Sequence, residues 1–190
     1  MTTRDTILQA ALERFARTGY LGSSIQQIAD DVGTSKSSVL YHFESKEALL
    51  EAAMQPAIDA MSALVTALPQ AGPDKLHAVP TLATGFVDVL MAHSAAVSVF
   101  VTQRGALREV PVIGRANALV DQIASTLVQE APSARVLTRV SIGLAGVAFI
   151  LGDALDDGRE HVDPAEMREI FIDTLLELCL AQPQSLERTR

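Results

Sequence analysis

The chain has 190 residues, 48% of them hydrophobic, with a mean hydropathy of +0.24 and a formal net charge of −8. That apolar content excludes an intrinsically disordered chain and suits one compact body or two small domains. The acidic balance excludes a generally basic nucleic-acid binder, and a single cysteine, Cys179, excludes an intramolecular disulfide. Cys179 reads as a small buried residue in a reducing, cytoplasmic setting, and the N-terminus lacks the basic-then-apolar profile of a signal peptide.

In chain order, Ile7, Leu8, Ala11, Leu12 and Phe15 form a helical apolar stripe that stops at Gly19. Ser24 and Gln27 fit a capping box ahead of Ile25, Ile28, Ala29 and Val32, which are spaced for one buried helix face. Gly33 follows, where a left-handed residue lets the chain turn sharply, and Thr34 or Ser35 caps a second short helix. On that helix Val39, Leu40 and Phe43 are expected inward, Thr34, Ser37, Ser38 and Tyr41 outward, and His42 on the flank. With the first stripe, this makes a three-helix unit containing a helix-turn-helix. Small outward residues let a helix enter the major groove, where hydroxyls, lysine and histidine reach phosphates or base edges. The alternative is a plain solvated face. Against it, four short polar residues beside Lys36 lower helix propensity without structural return. Ser45 caps a fourth helix, in which Glu47 suits the positive end of the dipole and Lys46 opposes it. A nearby phosphate explains such a cation, although an ordinary surface lysine is the simpler account of it alone.

The first fifty residues resemble the tetracycline-repressor (TetR) family of bacterial transcriptional regulators. The resemblance rests on Ile7, Ala10, Ala11, Phe15, Gly19, Tyr20, Ser24, Ile25, Ile28, Ala29, Gly33, Ser35, Lys36, Tyr41, His42, Phe43, Lys46 and Leu49. It implies an all-helical homodimer whose helix-turn-helix binds a palindromic operator, and a C-terminal domain where a small-molecule effector releases the DNA. The DNA contacts it implies are Ser24, Thr34, Ser35, Lys36, Ser37, Ser38, Tyr41, His42 and Lys46. This chain has Leu40 where the family usually has a tyrosine, so one backbone contact is either missing or supplied by Tyr41 and His42.

Beyond residue 45 the pattern is helical throughout, without strand alternation or repeats. Pro56 falls inside the fourth helix and is expected to kink it, and LPQAGPD ends it. A fifth helix runs from near Asp74, or from Pro80, to about His93. Helical pieces at Ala95 to Thr102 and Val112 to Glu130 follow. Pro132 and Ser133 restart a long apolar helix ending near Asp156. Asp163, Pro164 and Glu166 open a final helix to about Leu180. The expected organisation is all-α: a helix-turn-helix domain over 1–45, a helical effector-binding and dimerisation domain over 46–182, and a frayed tail over 183–190. Val140 to Gly152 is too short to span a bilayer, so no membrane is expected. A helix apolar almost all round must be covered on several sides. Its small residues Ser141, Gly143, Ala145, Gly146 and Ala148 suit close approach of another helix, so self-association is expected around Ser133–Asp156 and Pro164–Leu180.

Phe86, Met91, His93, Phe100, Gln103, Phe149 and Asp153 are candidates to line a mainly apolar effector cavity, against the alternative of plain core. Asp153, Asp156, Asp157, Glu160, His161 and Asp163 crowd one stretch, but their spacing fits no calcium loop and reads as a solvated acidic turn. No phosphate loop, HExxH or nucleophile elbow is present, and no cofactor or enzymatic activity is expected. The first fifty residues hold five basic against six acidic residues, a net of −1, leaving −7 for the rest. DNA binding must therefore rest on a few well-placed groups and be salt-sensitive. The rival reading is a helical protein-interaction module without specific DNA binding.

Overall fold

The computed structural model describes residues 2–67, 74–127, 134–153 and 163–180. Nine helices and no strands occur among them: α1 (Thr3–Thr18), α2 (Ile25–Asp31), α3 (Lys36–His42), α4 (Lys46–Thr66), α5 (Asp74–Ala92), α6 (Ser94–Gln103), α7 (Pro111–Leu127), α8 (Ala134–Asp153) and α9 (Pro164–Leu180). The all-α expectation holds.

Local signals set the first four helices. Thr2 caps α1 by accepting from the Asp5 amide while the Asp5 carboxylate accepts from the Thr2 amide. Gly19, at φ 78°, ends α1 with its N–H on the Phe15 carbonyl. Ser24 and Gln27 form the reciprocal box on α2. Gly33 sits at φ 67°, and Thr34 N–H closes back on the Ala29 carbonyl at 2.9 Å. Ser35 rather than Thr34 caps α3, and Ser45 caps α4. α4 continues as one helix through Pro56, and α5 through Pro80. α5 and α6 meet at a bend of 92°. At the start of α9, the Asp163 carboxylate accepts from the Ala165 amide. The ends expected near Glu130 and Asp156, the restart at Pro132, and the frayed tail lie outside the described residues.

Two apolar clusters hold these helices. In the first, Ile7, Ala11 and Phe15 of α1 pack with Ile28, Ala29, Val39 and Phe43, with Leu49, Leu50, Met54 and Ile58 of α4, and with Ala96, Val99, Leu107, Val112, Ile113 and Ala116. The boundary expected between residues 45 and 46 falls inside this cluster, because α4 is shared. The second joins α4, α5, α8 and α9 through Val65, Leu82, Phe86, Val87, Leu144, Val147, Phe171 and Leu175. α4 is long and apolar enough to cross a bilayer on composition alone, but its apolar face packs on α1, α5 and α7. α8 is not covered on every side within one chain. Ile142 is 62% and Phe149 53% exposed, and Ile150 of α8 and Ile170 of α9 are also exposed.

Among the described residues two bidentate ion pairs brace the helices, beside a looser one between Arg115 of α7 and Glu51 of α4 at 3.7 Å. The Arg14 guanidinium grips both carboxylate oxygens of Asp31, linking α1 to α2, and Arg168 grips Asp88, linking α9 to α5. In each case the guanidinium's hydrogen bonds hold the carboxyl pKa below its ordinary 3.8. A carboxyl with a lowered folded-state pKa stabilises the fold above its unfolded-state value and stops doing so as pH falls through the lowered one. Urea midpoints are therefore expected to fall as pH drops below about 4. Asp31→Asn with Asp88→Asn should flatten that dependence; an unchanged slope would exclude these pairs as its source.

Candidate nucleic-acid interface and cavity

The helix-turn-helix presents a row of polar side chains along α3. Lys36, Ser37, Tyr41 and His42 are exposed, and Thr34 and Ser38 are half-buried. Tyr41 is 86% exposed and meets the His42 ring edge-on, 5.3 Å between centroids. Val39 and Phe43 face inward and anchor the helix. Leu40, expected inward, is 37% exposed and stands on the outer side instead. A seven-residue helix cannot bury a third bulky side chain when Val39 and Phe43 already fill the seam against α1, α2 and α4. The hydroxyls of Ser24 and Ser35 cap their own helices, accepting from the Gln27 and Ser38 amides, and so fix where α2 and α3 begin.

Lys46 corrects the sequence reading most directly. Its ammonium donates to the carbonyls of Tyr20 and Ser23, both at 2.9 Å, and lies 4.3 Å from the Tyr20 ring centroid. Burial there lowers its pKa. Carbonyls of the α1–α2 turn thus compensate a cation at this helix N-terminus. Arg4, which sequence reasoning passed over, stands with its guanidinium 5.2 Å from the Phe43 ring centroid, and that ring lies 6.3 Å from His42. It brings a cation to the C-terminal end of α3. Arg14 and Lys46 are tied inside the unit, whereas Lys36 lies on α3 and Arg4 beside its C-terminal end. The signal for Arg4 was its spacing before Ile7 on the exposed side of α1.

The second feature is a cavity of about 700 Å³ among α4, α5, α6, α7 and α8. Along α6 it is lined by His93, Ala96, Val97, Phe100, Val101 and Arg104, a stripe of helical period that turns one side of the helix to the space. Met54, Ile58 and Met61 of α4, Phe86 of α5, Ala124 of α7 and Phe149 of α8 close it. Four of the candidate effector residues, Phe86, His93, Phe100 and Phe149, are brought together here. Met91 instead packs against the second apolar cluster, and the side chain of Asp153 lies outside the described residues. Gln103 points away from the cavity: its amide bonds the backbone at Phe15 and Tyr20. Both stray because helical spacing gives the face of a residue but not which neighbour that face meets. Of the acidic stretch, residues 154–162 also lie outside the described residues.

Residues 7–53, which span α1 to α3 and the first turns of α4, match the model of bacterial regulatory proteins of the tetR family. They form a TetR-family helix-turn-helix domain. Over 56 residues this chain is 43% identical to the HTH-type transcriptional regulator RutR of Escherichia coli K12, covering 30% of this chain and 26% of RutR. It is 31% identical over 62 residues to IcaR of Staphylococcus aureus Newman, the negative transcriptional regulator of the biofilm operon icaADBC, covering 33% of each. The chain therefore matches only about a quarter to a third of the length of these curated relatives. A TetR-family transcriptional regulator from Bordetella parapertussis 12822 shares the fold along 93% of both chains, with a TM-score of 0.71 at 21% identity. The TetR-family match in sequence covers the helix-turn-helix; the remaining helices share only the arrangement.

Proposed function

We propose that this chain is a transcriptional regulator of the repressor type, which binds a palindromic operator as a homodimer and releases it when a small, mainly apolar molecule enters the cavity. The observation that carries the reading is the row on α3, where Lys36, Ser37 and Tyr41 stand in solvent on a helix whose other side is locked by Val39 and Phe43. That helix enters the major groove, with Arg4 reaching phosphates from α1. The uncovered apolar face of α8, with Ile170 of α9, pairs with its copy in the second subunit and sets two α3 helices about 34 Å apart, one turn of B-DNA. The effector acts through a difference in affinity between the two conformations, and ~1–3 kcal/mol of coupling gives a switch of about 5- to 150-fold.

Gel retardation on the DNA upstream of the protein's own gene tests the reading. Lys36→Ala and Tyr41→Ala should each weaken binding by about 5- to 150-fold, the loss for one specific contact worth 1–3 kcal/mol. Arg4→Ala should weaken it uniformly across sequences and reduce its salt dependence by about one phosphate's worth. Unchanged retardation in both α3 variants would leave the chain a helical interaction module instead.

A further inference from the structure

We propose that Gln103 is a positioning residue that ties the state of the cavity to the setting of the recognition helix, an inference that rests on the cavity being the effector site. Gln103 closes α6, and both ends of its amide are spent on another part of the molecule. Its Oε1 accepts from the Tyr20 N–H at 2.5 Å, and its Nε2 donates to the Phe15 carbonyl at 2.7 Å. These bonds cross 83 and 88 residues of sequence. The Tyr20 N–H lies just past the end of α1, and the Gln103 amide supplies a partner for it that an apolar side chain could not.

The turn that Gln103 grips is held from the other side as well. Lys46, at the start of α4, donates to the Tyr20 and Ser23 carbonyls, and the Ser23 hydroxyl donates to the Gly19 carbonyl at 2.6 Å. Residues Gly19 to Ser23 are thus clasped between α6 and α4, and Ser24 immediately begins α2, which packs directly on α3. The same two helices line the cavity. Phe100 and Arg104 flank Gln103 on α6, and Met54 and Ile58 lie on α4 within about 18 Å of Lys46 along the helix at 1.5 Å per residue. Apolar contacts tolerate sliding, but amide hydrogen bonds fade once the donor and acceptor move about 0.5 Å beyond their normal reach. An occupant that displaces the end of α6 by about 1 Å therefore parts the Gln103 bonds before it disrupts the apolar core. That frees the turn and lets α2 and α3 shift together.

The test uses the full chain, with amide hydrogen exchange at Tyr20 and retardation of its upstream DNA as readouts. Gln103→Met is expected to speed Tyr20 exchange and weaken DNA binding by about tenfold, within the usual coupling range, in a chain that circular dichroism shows still folded. Gln103→Glu keeps the acceptor for Tyr20 and should fall between Met and wild type. It also serves should the methionine variant fold poorly. Ala124→Phe, which fills the cavity from α7, should speed Tyr20 exchange in the wild-type background and add no further loss of DNA binding to Gln103→Met. DNA affinity within twofold of wild type for Gln103→Met, or independent, multiplying losses in the double variant, would overturn the proposal. A wild-type chain that fails to retard its DNA would count against the regulator reading. In that event Tyr20 exchange in Ala124→Phe still decides the coupling: faster exchange upholds it, and unchanged exchange overturns it.

Discussion

Ile142→Glu combined with Ile170→Glu should convert a particle of about twice 20.3 kDa into one of 20.3 kDa and abolish DNA retardation at concentrations where the wild type binds fully. Both isoleucines are largely exposed on one chain, on helices α8 and α9 that pack side by side. In a symmetric pair each patch meets its own copy, so every introduced carboxylate is doubled across the interface. Burying an unpaired carboxylate costs several kcal/mol. Neither residue lines the cavity or touches the helix-turn-helix core, so the fold of each subunit should survive, as circular dichroism would verify. A wild type that elutes as a monomer at micromolar concentration, or a double variant that stays dimeric, would contradict the arrangement.

Phe15→Ala should destabilise the chain by about 3–5 kcal/mol, the cost of emptying a fully buried phenylalanine site. Phe15 has no exposed surface, packs against Tyr20 at 5.3 Å between ring centroids, and lies in the cluster that joins α1 to α2, α3 and α4. Its carbonyl also accepts from Gly19 and Gln103, so collapse around the void would disturb the α1–α2 turn. The loss is a large fraction of the ~5–15 kcal/mol that holds a typical domain. Urea unfolding followed by circular dichroism reads it directly. A loss under about 1 kcal/mol would mean the site is not the keystone its burial indicates.

The helix-turn-helix was legible because its determinants are short-range. The Ser24–Gln27 box spans three residues, Gly33 ends α2 from two residues past Asp31, and the period of Ile7, Ala11 and Phe15 gives the inner face of α1 without reference to the rest of the chain. Leu40 shows the limit of the wheel. It stands beside Val39 in sequence, yet the space beneath α3 accepts Val39 and Phe43 and leaves Leu40 out. Lys46 and Gln103 show a different limit. Each was a polar residue awaiting a partner, and a phosphate or an effector was the reasonable guess. Their actual partners are backbone groups 23 to 88 residues away, brought close only by the packing of α4 and α6 on α1. For the self-association face proposed on α8, the small residues form a pattern in the sequence, while the exposure of Ile142, Phe149 and Ile150 needed a structure to be seen.

Operator binding requires the outer edge of α3 to meet the floor of the major groove while its inner edge stays locked by Val39 and Phe43. Methylation protection of guanine N7 on the upstream DNA, a probe confined to the major groove, reads this contact most directly. Two protected patches are expected on one face of the duplex, centred about one helical turn apart, with both lost in Tyr41→Ala and Lys36→Ala chains that remain folded dimers. Protection confined to a single patch, or protection that those two substitutions leave intact, would contradict it.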